Sequence, residues 1–281
     1  MTGEEIAAAG QLACLLEVSA PKPGNVSPER HFHDTRYEDF LASAVAIGPA
    51  LAAAGERPLG ATIRTAVEAT SRWTRSNTNL GIVLLLAPLA RAAAREGGTL
   101  RDRLATVLAE TTVADAAETY AAIRRARPGG LGAASAEDVA AAPTVSLREA
   151  MALAAERDAI AREYTNRFAL TFEVGAPALA GARRRGLPWT EATVECFLTL
   201  LAAVPDTHIA RKLGRAEAER VTEWAREVLA AGATGTAEGR AALAALDAEL
   251  RDPRNSRNPG TTADLTCAAL FVVIIEGGWD R

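Results

Sequence analysis

The chain has 281 residues, of which 49% are hydrophobic, 23% charged and only 5% aromatic. That is the balance of a globular protein with a full apolar core, and a chain of this length buries about 75% of its unfolded surface without needing a disulfide or a metal to fold. A formal net charge of −4 argues against a nucleic-acid-binding surface, while leaving room for a local basic pocket that takes a phosphorylated small molecule.

Helical periodicity dominates from end to end. It predicts helices at about 4–19, 37–54, 60–75, 79–95, 99–109, 112–126, 147–173, 190–203, 215–231, 236–250 and 262–275. The start, MTGEEIAAAGQ, is acidic and has no basic stretch ahead of an apolar one, so no secretory signal is expected and a cytoplasmic protein is. FVVII near the end is the one candidate strand, although the preceding TADLTCAAL argues for helix. Pro and Gly mark the breaks, at PKPGNVSP, GERPLG, RPGGLG, GLPW, VPDTH and NPGTT. No stretch resembles an interdomain linker and no fixed-period repeat is present. The expectation is a single all-α domain over residues 1–281, a bundle of roughly ten to twelve helices. The longest apolar runs, IVLLLAPLA and AALFVVII, fall short of the roughly 20 residues a membrane span needs. Cys14, Cys196 and Cys267 lie far apart among apolar residues, without metal-ligand spacing, and read as buried thiols. Ala-rich helices with small residues would suit a homodimer.

Four breaks carry the polar chemistry. The first is PKPGNVSPERHFHDTR, residues 21–36, which holds Lys22, Gly24 and two of the three histidines, His31 and His33, with Asp34 beside the second. Its prolines stop a helix and Gly24 permits a tight turn. Asp34 or Thr35 could simply cap the next helix, but a cap needs no histidines. The second is VPDTHIARKLG, where Asp206, His208, Arg211 and Lys212 fall within seven residues. Carboxylate and cations together suit a metal–polyphosphate complex; the plainer reading is a capped helix start with a solvated basic turn. The third, RNSRNPGTTADL, runs into a helix whose first turn holds Gly260, Thr261, Thr262 and Asp264, a junction whose free N–H groups favour anions, as helix caps in general do. The fourth, RSNTNLG, offers Asn77, Thr78 and Asn79 where one residue would suffice as a cap, which suggests side-chain amides facing a ligand. Arg157, Asp158, Arg162 and Glu163 read as ion pairs on a solvated helical face, and Arg183–Arg185 as the charge complement of a helix C-terminus.

PKPGNV with its later His-Asp pair, then NTNLG, PDTHIARKLG and NPGTTADL, in that order, resemble the triphosphoribosyl-dephospho-coenzyme A synthase family over about residues 12–277. The resemblance implies an all-α fold and transfer of the triphosphoribosyl group of ATP to dephospho-coenzyme A with release of adenine. The product of that reaction is the prosthetic-group precursor of the citrate lyase and malonate decarboxylase acyl carrier proteins. Two segments depart from the family pattern. Asn77-Thr78-Asn79-Leu80-Gly81 stands where characterised members have Asn-Thr-His-Lys-Gly, and NPGTTADL stands for SPGGSADL. The departures resemble a branch found in methanogens and methylotrophs and associated with tetrahydromethanopterin or methanofuran-type one-carbon metabolism, which leaves the acceptor open.

For such a displacement at the anomeric carbon, the carboxylates Asp34, Asp206 and Asp264 are expected to divide between Mg²⁺ ligation and an oxocarbenium-like sugar, in an order the sequence leaves open. His33 or His208 would be the general acid or base. Lys22, Gly24, Arg211 and Lys212 would bind the nucleotide together with Gly260, Thr261 and Thr262, and Asn77, Thr78 and Asn79 would meet ribose or base. Two alternatives compete. His31, His33, Asp34 and Asp206 could form the metal set of an HD-type phosphohydrolase, also an all-α fold, or the chain could bind nucleotide without turnover.

Overall fold

The computed structural model describes residues 1–130, 132, 134 and 136–279. Among them the architecture is entirely helical, with fourteen α-helices rather than ten to twelve: α1 Gly3–Ser19, α2 Tyr37–Ala52, α3 Leu59–Thr70, α4 Leu80–Ala93, α5 Leu100–Ala109, α6 Val113–Ala126, α7 Leu147–Ala154, α8 Ala159–Asn166, α9 Ala176–Arg184, α10 Trp189–Ala203, α11 Thr207–Leu213, α12 Arg215–Ala230, α13 Ala237–Leu250 and α14 Gly260–Ile275. A six-residue π-helical segment, Leu170–Gly175, precedes α9. The FVVII run is the end of α14 and no strand occurs among the described residues. None of the described helices is long and apolar enough to cross a membrane.

The excess over the expected count has local causes. The single helix expected at 147–173 is interrupted because Asp158 turns its carboxylate onto the N–H groups of Ile160 and Ala161 and starts α8 afresh. Arg167 and Phe168 then take left-handed backbone conformations, which ends α8. The other two additions are short. Pro177 sits in the first turn of α9, where its missing N–H is no loss, and Asp206 caps the seven-residue α11.

The chain divides into two compact units. One comprises residues 1–14 and 38–169, the other residues 15–37 and 170–281. In the first, α4 (LGIVLLLAPLARAA) is buried along nearly its whole length, and capping boxes at Thr99/Asp102, Thr112/Asp115 and Ser146/Glu149 start α5, α6 and α7. Gly60 lets α3 lie directly on α6: a Cβ there would come within 2.5 Å of the Asp115 carbonyl oxygen, and the Gly60 N–H donates to Asp115 Oδ1 at 2.8 Å. In the second unit, Phe197, Leu198 and Leu201 of α10 pack with Ile209 of α11, Val221 and Ala225 of α12 and Leu250 of α13. All three cysteines are buried, as expected, and Cys196 donates to the Gly175 carbonyl. The polar segments 21–36, 206–212 and 254–264 belong to the second unit, and NTNLG belongs to the first.

Candidate functional site

The centre of the second unit's polar cluster is Asp206. It is 1% exposed and caps α11 through Oδ1, which accepts from the N–H groups of His208 (2.8 Å) and Ile209 (3.0 Å). Its Oδ2 accepts from both the N–H and the hydroxyl of Thr262, each at 2.8 Å. One carboxylate thereby ties the start of α11 to the first turn of α14, and Thr207 adds a hydroxyl bond of 3.1 Å to Thr261. Burial raises the Asp206 pKa, and the four donors work in the opposite direction.

This clamp sets the imidazole of His208 against the backbone of Gly260, where a Cβ would lie 2.5 Å from His208 Nδ1. Gly260 is therefore required by close approach, not by turn geometry. Burial pulls the His208 pKa down to about 3, with the charges of Lys212 and Arg211 adding to the effect, so the ring is neutral at physiological pH. Lys212 lies one turn further along α11. Burial lowers its pKa, Arg211 lowers it further, and Asp252, Asp34 and Asp206 oppose both.

The loop after α13 joins this end of α11 to the first segment. Asp252 organises the loop by accepting from the N–H groups of Arg254 (2.8 Å), Ser256 (2.7 Å) and Arg257 (3.0 Å); burial alone would raise its pKa, and these donors hold it below the ordinary value. Asn255 takes a left-handed conformation, offers its carbonyl to Lys212 Nζ at 3.4 Å and lies with Nδ2 3.3 Å from His33 Nδ1. His33 and Asp34 are both exposed, Nε2 to Oδ2 3.9 Å. His31 has a local task, accepting from the Tyr37 N–H at 3.1 Å where α2 begins. On the other side of the cluster, Asn25 donates to Asn258 Oδ1, and the Gly260 N–H bonds the Asn258 carbonyl at 2.8 Å.

Several expected ligand residues are occupied within the protein. Lys22 is 1% exposed and its ammonium is held by the carboxylate of Glu17 (2.9 Å) and the carbonyls of Glu17 and Ala20, so all three donors face inward. Gly24, with φ +75°, gives its N–H to Asp247 Oδ1 at 2.8 Å and rests on Leu250 and Pro259. The N–H groups of Gly260 and Thr262 are engaged, so the first turn of α14 does not present an open row of donors. In the first unit, Thr78 and Asn79 are buried and bonded to Ser43 (2.6 Å) and Thr70 (3.0 Å), while the exposed Asn77 caps the Leu80 N–H at 3.1 Å. NTNLG thus builds its own loop.

The metal expectation meets the clearest disagreement. Among the described residues no group of three or more His, Cys, Asp or Glu side chains is arranged to hold a metal ion, so neither Asp34–Asp206–Asp264 nor His31–His33–Asp34–Asp206 forms such a set. Asp206 has its oxygens turned onto N–H and O–H donors, and Asp264 is half-buried in the next turn of α14. Asp206 is thus committed to donors of the protein, and the three carboxylates form no cage for a cation among the described residues. What the cluster does form is a cationic edge, Arg211 and Lys212, beside a neutral, half-buried imidazole and an exposed His–Asp pair. That arrangement can take a phosphate chain at one end and an uncharged group at the other.

A protein-family model described as ATP:dephospho-CoA triphosphoribosyl transferase matches residues 3–281. The chain belongs to that family. It is 28% identical over 282 residues to the 2-(5''-triphosphoribosyl)-3'-dephosphocoenzyme-A synthase of Klebsiella pneumoniae, an alignment covering 94% of this chain and 92% of that protein. A protein of Stutzerimonas stutzeri described by the same activity is 34% identical over a shorter stretch of 105 residues, 37% of this chain and 36% of its own. A solved chain from Archaeoglobus fulgidus, described as a triphosphoribosyl-dephospho-CoA synthase, superposes with a TM-score of 0.66 at 31% identity, covering 84% of this chain and 99% of its own. The triphosphoribosyl transferase family is one of enzymes that use ATP, and the match includes both the second unit's polar cluster and the NTNLG loop.

Sequence reasoning missed Asn25, Asp252, Asn255 and Asn258. Asn25 lies within the PKPGNV stretch itself, and the signal of the other three was a run of Asx residues around two prolines, RDPRNSRNPG, a composition of side chains that bond nearby backbone.

Proposed function

We propose that this chain transfers the triphosphoribosyl group of ATP to dephospho-coenzyme A or a closely related cofactor precursor, releasing adenine. The observation that carries the reading is the gathering of Lys212, Asn255, His33 and Asp34 in one unit of a chain that matches the family from residue 3 to 281. An acceptor hydroxyl oxygen bonds to the anomeric carbon of ATP as the bond from that carbon to adenine breaks. The electron pair leaves with adenine, and the proton lost by the hydroxyl balances the one adenine takes up. Arg211 and Lys212 hold the triphosphate. Asp34 faces the positive charge that develops on the sugar, and His33 moves the proton. His208 is unsuited to the acid role because it is already deprotonated well below neutral pH. Magnesium enters as the counter-ion of the triphosphate, with the substrate. The departures in NTNLG and NPGTTADL leave a pterin or furan precursor of one-carbon metabolism as the second acceptor to try.

The test is incubation with ATP and Mg²⁺, alone and with dephospho-coenzyme A or such precursors, followed by chromatography for adenine. Adenine that appears only with an acceptor is the expected result. Phosphate release without adenine would point to a phosphohydrolase, and ATP binding with no product from any acceptor would leave a non-catalytic nucleotide-binding protein.

A further inference from the structure

Two buried polar atoms flank the Asn258–Pro259–Gly260 junction with no hydrogen-bond partner among the described residues: Asn25 Oδ1 and His208 Nε2. Asn25 is only 5% exposed and comes from the loop after α1; His208 comes from the first turn of α11. Native proteins leave few such atoms unpaired, because each forfeits a hydrogen bond to water that folding has not replaced. The groups that hold Asn25 in place are themselves paired. Asn25 Nδ2 donates to Asn258, its carbonyl accepts from Arg251 at 2.9 Å, and Arg251 in turn is held by Asp247. The neighbouring Gly24 is locked onto α13, and His208 is pressed onto Gly260. Both side chains are thus fixed in place with one polar atom left over.

The chemistry of the two atoms limits what completes them. Neither group carries charge, since one is an amide and the other an imidazole held neutral. Turning the amides of Asn25 and Asn258 over together preserves their mutual bond and exchanges the spare acceptor on Asn25 for a spare donor. The imidazole Nε2 is likewise donor or acceptor according to tautomer. A partner able to serve either case must itself donate and accept, as a hydroxyl or a water molecule does and a phosphate oxygen does not. The phosphate-binding chemistry lies further along α11, at Arg211 and Lys212.

We infer that Asn25 and His208 bind the ribose hydroxyls of the nucleotide, so that the sugar sits at the Asn258–Gly260 junction and the triphosphate runs toward Arg211 and Lys212. The inference rests on ATP being the ligand, as proposed above, and assigns its orientation and a residue, Asn25, that contacts the sugar about to react.

Calorimetric titration of the full chain with ATP, 2'-deoxy-ATP, 3'-deoxy-ATP and inorganic triphosphate tests it without requiring turnover. At least one deoxy nucleotide is expected to bind about tenfold more weakly than ATP to the wild-type protein. Asn25→Ala and His208→Gln should each weaken ATP by about tenfold and leave inorganic triphosphate within twofold, whereas Lys212→Gln should weaken both. The two variants lie on separate segments, and the deoxy comparison needs neither. Equal affinities for ATP and both deoxy nucleotides, a proportional loss of ATP and inorganic triphosphate in Asn25→Ala, or no ATP binding at all would overturn the assignment. Failure of the proposed reaction reads differently: ATP binds with the ribose preference intact and no acceptor yields adenine.

Discussion

Asp206 illustrates how one buried carboxylate can tie two helix starts together. A carboxylate there suits three N–H donors and one hydroxyl, and no neutral side chain offers the same four acceptor positions. Asp206→Asn keeps the shape but points an NH₂ at backbone N–H groups, leaving buried donors face to face. We expect it to cost about 3 kcal/mol of stability in chemical denaturation, from two lost bonds and their unsatisfied donors. A variant as stable as wild type would mean that the clamp is dispensable. His208 makes a prediction of opposite character, about pH. Its pKa is about 3 in the folded chain against an ordinary 6.5, so between those values the unfolded chain holds a proton that the folded one does not. Stability from this group is complete above pH 6.5 and is lost as pH falls toward 3, with a slope of up to about 1.4 kcal/mol per pH unit. His208→Gln should flatten that limb of the denaturation profile; an unchanged slope would show the ring to be solvated. Sequence could name both residues, since Asp-Thr-His after a proline is a visible helix start. It could not show that Asp206 reaches Thr262 or that Lys22 turns inward to Glu17, because those partners depend on how helix ends are brought together.

At the scale of elements, periodicity read the helical class correctly and failed where a side chain overrides it. The run from 147 to 173 keeps an apolar rhythm throughout, so nothing in the pattern distinguishes α7 and α8 from one long helix. Only the Asp158 cap and two consecutive left-handed residues, one of them the buried Phe168, break it. Left-handed conformations at Arg and Phe are set by packing and carry no compositional mark of the kind glycine gives. Glycine, by contrast, does mark the close crossing of α3 on α6. Gly60→Ala would drive a methyl group into the Asp115 backbone, with nothing flexible to give way. It should destabilise the first unit by about 2–3 kcal/mol, through overpacking and through loss of the Gly60–Asp115 bond. A melting temperature equal to wild type would require the two helices to slide apart freely. The polar segments follow the same logic: their order along the chain was legible as four breaks, but which ones meet was not.

For the whole molecule, the decisive asymmetry is that three of the four motif segments belong to one unit while NTNLG belongs to the other. In the first unit the buried Thr78 and Asn79 are already bonded to Ser43 and Thr70, which leaves Asn77 as the exposed amide of that loop. In the second, Lys212 and His33 meet at Asn255, and Asn25 and His208 each keep one unpaired side-chain atom beside the Asn258–Gly260 junction. A ligand that binds only the folded state slows opening of the segments it touches in proportion to its occupancy. Hydrogen exchange measured with saturating ATP should therefore slow amides in residues 21–36, 206–212 and 252–262 by tenfold or more, and leave residues 77–81 near their unliganded rates. Addition of dephospho-coenzyme A then asks where the acceptor lies, since protection that extends to 77–81 only in its presence would assign the altered NTNLG segment to the acceptor. Protection by ATP at 77–81 with none at 206–212 would reverse that arrangement, placing nucleotide recognition in the first unit and reducing the Asp206 clamp to a fold element.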